Sequence, residues 1–141
     1  GDYKSPPPPG QYADRERRSR ESLKRPAVVF SREQRELVGM ALRDKLQQIG
    51  AFVLCISVGG QHVHVLAKLP PGVARAWMGK AKRHTWFELR DRCGWTAQMW
   101  GKRGKELPVR DRAHQLNVYG YILDHAKEGA WVWTWVSEKP Q

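Results

Sequence analysis

AFVLCISV (Ala51–Val58), GG (Gly59–Gly60) and QHVHVLAKL (Gln61–Leu69) form the stretch whose reading decides the fold. The first run is apolar and β-branched, the glycine pair suits a tight turn, and the third run alternates as a returning strand. Together they predict a β-hairpin, which Pro70-Pro71-Gly72 brings to an end. Side chains two apart on a strand point the same way, so His62 and His64 present two imidazoles on one face. Val63 and Val65 lie on the other face and are expected to pack beneath helices.

Working outward, a helix is expected before the hairpin. Ser31 and Gln34 have the spacing of a capping box. Leu37, Val38, Met40, Ala41, Leu42, Leu46 and Ile49 supply an apolar face of helical period, and Gly50 stands where a helix ends. After the hairpin a second helix is predicted over 73–92, with Val73, Ala76, Trp77 and Ala81 inward and Arg75, Lys80, Lys82 and Arg83 outward. Gln98–Trp100 and Lys105–Val109, joined by a Gly101–Gly104 turn, read as a second hairpin. A third helix is expected over 111–127, ended by Gly129, and Trp131–Val136 reads as a last extended segment. This order predicts an α+β fold, ferredoxin-like, with an antiparallel sheet and helices packed on one face. Residues 1–27 hold a proline run and then Arg15 to Arg20, so they read as a proline-rich basic arm ahead of a domain over 28–141.

Composition narrows the function. The chain has 141 residues, enough for one domain with a real core. No apolar run approaches the roughly 18 residues that span a membrane. The opening Gly1-Asp2-Tyr3-Lys4 is unlike a secretory signal, and the absence of an initiating Met suggests a cut or processed N-terminus. Cys55 and Cys93 lack metal-binding spacing and read as free thiols of a reducing cytoplasm. Twenty-five Lys and Arg against 14 Asp and Glu give a net charge of +11. Such a balance points to a polyanionic partner, and to nucleic acid ahead of a membrane surface.

The histidine strand has a counterpart near the C-terminus, YGYILDH (Tyr119–His125). At about 100° per residue, His125 lies about 40° round the helix from Tyr121, whereas Tyr119 falls on the far side. Only Tyr121 therefore shares a face with His125. Neutral imidazole is a common ligand for divalent metals. Two histidines on a strand, with a phenol and a third imidazole on a helix, have the parts of a metal site with a nucleophile beside it. Each part alone is more often structural: an imidazole on a strand face, a helix Tyr in the core, a tryptophan stripe at 131, 133 and 135 packed inside.

The ordered set of a hydrophobic strand, His62-Val-His64, a basic helix, Trp100 and Val118-x-x-Tyr121-Ile122-x-x-His125 resembles the single-tyrosine HUH transposases. Among them it is similar to the REP-associated tyrosine transposases and bacterial insertion-sequence relatives, over about residues 31–136. The chain departs from that pattern at His125, where many members carry Gln or Asn, and in residues 1–27, where members place a first strand. The resemblance implies a transposase or endonuclease that cuts and rejoins single-stranded DNA near hairpins. Tyr121 would attack the phosphate to give a 5′-phosphotyrosine, while His62, His64 and His125 would hold Mg²⁺ or Mn²⁺. Lys80, Lys82, Arg83, Lys102, Arg103 and Lys105 would line a groove that follows the DNA backbone. The resemblance leaves a homodimer and a monomer both open, since relatives often dimerise and REP-associated ones include monomers, and it implies a place on the bacterial nucleoid. Two other readings stay open: a truncated or domesticated nucleic-acid-binding module without catalysis, and an RNA-binding module, for which the expected Lys/Arg-Gly-aromatic strand motif is missing.

Overall fold

The computed structural model describes residues 29–100 and 105–138. The described residues form an α+β structure of three α-helices and a three-stranded antiparallel sheet. Helix α1 (Arg32–Gln48) opens on the expected capping box: Ser31 Oγ accepts from the Gln34 N–H at 3.2 Å, and Gln34 Oε1 accepts from the Ser31 N–H at 2.9 Å. These two bonds satisfy donors that the first helical turn leaves over. Gly50, at φ 113°, takes the left-handed turn that lets the chain reverse into the sheet.

Strands β1 (Phe52–Val58) and β2 (Val63–Lys68) form the predicted hairpin. Its turn closes through the Gly59 N–H, which donates to the His62 carbonyl at 2.8 Å. Strand β3 (Trp131–Thr134) pairs with the other side of β1, so the sheet order is β2-β1-β3 and β1 is central. β1 contains a bulge: Val53 opposes Ala67 and Cys55 opposes Leu66, which leaves Leu54 as an extra residue. Through it Leu54 and Cys55 both join the cluster on one face, while Val53, Ile56 and Val58 join the cluster on the other.

Helix α2 (Ala74–Cys93) lies beside α1. Its inward residues are Ala81, Thr85 and Leu89, four apart; Ala76, expected inward, is exposed. The Thr85 hydroxyl is buried and donates to the Ala81 carbonyl at 2.7 Å, so it enters the core satisfied. α1 and α2 cover one face of the sheet with Val38, Leu42, Leu46 and Leu89. Helix α3 (Arg112–Asp124) packs Val118 and Ile122 on the opposite face, against Leu54, Cys55 and Leu66. The expectation that all helices share one face is therefore corrected, because β1 is apolar on both faces and each face takes its own helical layer.

The expected second hairpin does not form. Gln98–Trp100 and Lys105–Val109 contain no strand, and Gly101–Gly104 lies outside the described residues. Pro108 cannot donate to a ladder, which weakens the return half. The tryptophan stripe serves packing: Trp133 is buried, Trp131 lies against Gly39 of α1, and Trp135 meets Phe52 edge-on at 5.7 Å. The N-terminal arm over 1–27 lies outside the described residues. No helix among the described residues is long and apolar enough to cross a membrane.

Candidate functional site

Strand β2 and the end of α3 meet on the face of the sheet opposite α1 and α2. His64, the second residue of β2, opposes Ser57 of β1 and shares its face with Leu66. α3 begins at Asp111, whose carboxylate accepts from the His114 N–H at 2.8 Å, a side-chain cap that fixes the first turn. From there the helix carries Tyr121 in its last turn and passes into a 3-10 turn at His125–Glu128. Arg35 of α1 donates to the Gly129 carbonyl at 2.8 Å and so ties the end of that turn to the other layer. The Tyr119 hydroxyl bonds to Thr134 Oγ1, anchoring α3 to β3.

These supports bring three rings together. The His64 and His125 centroids are 4.5 Å apart, those of Tyr121 and His125 are 4.8 Å apart and edge-on, and those of His64 and Tyr121 are 5.8 Å apart. Nδ1 of His125 lies 2.9 Å from the Tyr121 carbonyl oxygen. A carbonyl only accepts, so Nδ1 carries the hydrogen, and in the neutral ring the lone pair sits on Nε2. Burial, and behind it the positive ends of His125 and His62, lower the His64 pKa from 6.5 to about 4. His64 is thus neutral at pH 7 and also keeps a lone pair. Tyr121 is 46% exposed.

His62 stands apart. It precedes β2, is exposed, and gives its carbonyl to the turn. Among the described residues, no three His, Cys, Asp or Glu side chains are grouped closely enough to hold a metal ion. What the fold supplies is a pair of imidazoles, His64 and His125, a donor set that suits a cation whose other positions are filled by water and phosphate oxygens.

A cleft of about 810 Å³ runs along β2, and its walls include His62, His64, Lys68, Lys82, Trp100 and Lys105. Two of the predicted cations therefore face one cavity beside His64. Lys82 is fixed there: its ammonium lies 5.6 Å from the Trp100 ring, and the Trp100 indole donates to the Lys82 carbonyl at 2.9 Å. Lys80 and Arg83 are exposed on the outer side of α2. Lys102 and Arg103 lie outside the described residues. Sequence reasoning missed Lys68 and Arg110 of the cleft, and also Ser57, whose buried hydroxyl has no hydrogen-bond partner. As the one hydroxyl in an apolar strand, Ser57 carried a signal that only the register could place opposite His64.

Comparison of the chain with protein families, with curated proteins and with solved structures found no match.

Proposed function

We propose that this chain is a single-stranded DNA nuclease or transposase domain of the single-tyrosine type, with Tyr121 as nucleophile and His64 and His125 as metal ligands. The observation that carries the reading is the meeting of Tyr121, His125 and His64 in one group that reaches the surface at Tyr121, drawn from a helix end and a strand far apart in sequence. A net charge of +11 and a lysine-lined cleft beside the group suit a polyanion.

The chain's own residues have distinct tasks. Lys82, Lys105 and Lys68 hold the phosphate backbone in the cleft, and Trp100 keeps Lys82 in place. Nε2 of His125 and the neutral His64 ring offer lone pairs to a divalent cation; the hydrogen bond to the Tyr121 carbonyl sets the His125 tautomer. When bound, the cation would polarise the scissile phosphate and stabilise the departing oxygen. The Tyr121 phenol loses its proton to water and its oxygen bonds to phosphorus. The P–O3′ bond breaks, and the 3′ oxygen leaves and takes up a proton. The phosphotyrosine ester retains the bond's free energy, so the reverse attack rejoins the strand without a nucleotide cofactor.

The test is a denaturation-resistant adduct between the protein and a labelled single-stranded DNA hairpin in Mn²⁺. Tyr121→Phe should abolish the adduct; Tyr119→Phe, whose hydroxyl only anchors α3, should keep it at some cost in stability. The reverse pattern would assign the wrong tyrosine. The lack of a three-donor metal cluster among the described residues favours a second reading, a binding module without catalysis. It takes over if wild type binds the DNA and forms no adduct.

A further inference from the structure

The outward face of α2 carries cations around one partly exposed aromatic ring. Ala81, Thr85 and Leu89 point into the core, and Lys80, Arg83, Phe87 and Arg90 are all exposed on the other side. Arg83, Phe87 and Arg90 follow at i, i+4 and i+7, the spacing of one helix face.

Phe87 is 38% exposed although a hydrophobic core lies on the far side of its own helix. Its ring meets Trp86 edge-on, with centroids 5.3 Å apart. The Arg90 guanidinium carbon sits 4.8 Å from the Phe87 centroid and 5.7 Å from the Trp86 ring, and that of Arg83 sits 5.8 Å from Phe87. Trp86 is itself held by its indole N–H, which donates to the Ala97 carbonyl at 3.0 Å. The group is a set of planar side chains braced on one side and open on the other. Two carboxylates stand nearby: Asp91 pairs with Arg90 at 3.2 Å, and Glu88 is engaged by Arg92 at 3.1 Å.

A partner for this surface needs flat faces and negative charge. Bases stack on aromatic rings and on guanidinium planes, while neighbouring cations follow the phosphates. An apolar protein partner would cover Phe87 but desolvate Lys80 and Arg83, and a chain of net charge +11 selects the polyanion instead.

We propose that Phe87, flanked by Arg83 and Arg90, is a base-stacking platform for single-stranded DNA, separate from the His64–Tyr121 group. It rests on the proposed function only for the kind of nucleic acid. The platform and the ring group lie on opposite sides of the sheet. The cleft lined by Lys82, Trp100 and Lys68 runs along β2, an edge of the sheet, and offers a path to a strand that serves both. The platform therefore governs affinity, and the ring group governs the covalent step.

Fluorescence anisotropy with a labelled oligothymidylate tests this, using the full chain with Tyr121→Phe so that no covalent product contributes. Phe87→Ala and Phe87→Leu should each weaken binding roughly fivefold or more, as loss of one stacked base does, and Phe87→Trp should retain it. Arg83→Ala with Arg90→Ala should lower the log–log salt slope by about 1.4, at about 0.7 for each lost phosphate contact. Thermal melting of each variant confirms that it folds. Unchanged affinity in Phe87→Ala overturns the platform. So does a loss that Phe87→Leu restores, because that marks apolar packing. Phe87 dependence confined to oligouridylate overturns the DNA assignment in favour of RNA. Phe87-dependent binding without any wild-type adduct sinks the nuclease reading and leaves the platform standing; a normal adduct with Phe87-independent affinity does the reverse.

Discussion

His64 is the residue through which pH should act on this fold. In the native state its pKa is lowered to about 4, while in the unfolded chain it takes a proton near 6.5. Between these values the unfolded state binds more protons, so stability falls as pH is lowered through the window and levels off below about 4. Melting temperatures in metal-free buffer should therefore drop from pH 7 to pH 4, and His64→Gln should flatten that part of the profile. An equal drop in the variant would locate the sensitivity elsewhere. Much of the site was legible at this scale, because strand and helix periods alone put His64 on one face and Tyr121 with His125 on another. What could not be read was which histidine the turn would take. His62 lies outside β2 because its carbonyl closes the hairpin. Nor could Ser57 be set opposite His64 without the register.

At the scale of elements, α1 reaches the sheet through a missing side chain. Gly39 is buried, and a methyl group there would run into the six-membered ring of Trp131 in β3. Gly39→Ala gains about 1 kcal/mol of helix propensity but forces α1 away from β3 or Trp131 out of its place, an overpacking cost of about 1–3 kcal/mol. A net loss of stability is expected in denaturant titration. Trp131→Ala should be less sensitive to the same change, and equal effects in both backgrounds would separate the two residues. The first hairpin and the three helices were legible because each carries its own period and its own stop. The second hairpin was misread: Lys105–Val109 sets Leu107 and Val109 two apart as a strand would, yet Pro108 lacks a donor and the segment instead walls the cleft. The side on which α3 packs was hidden too, since a strand apolar on both faces does not say which helix covers which face.

For the whole molecule, the two cysteines report on cooperativity. Cys93 is exposed at the end of α2, whereas Cys55 is buried in the central strand, where burial pushes its thiol up to about 12. A thiol reagent should modify Cys93 quickly and Cys55 only when the sheet opens, so the slow phase should track global unfolding in denaturant. Fast reaction at both would mean that the α3 layer lifts off alone. The bulge in β1 has a further, genetic consequence. Two residues, Leu54 and Cys55, stand there against one. Losing any codon of this strand other than these two would shift the phase of the alternation and turn core side chains outward across the boundary between the two layers. Losing either the Leu54 or the Cys55 codon would leave every remaining side chain on its own face, since both residues point to the α3 side. These are the in-frame deletions that this strand can absorb, each at the cost of one buried apolar side chain.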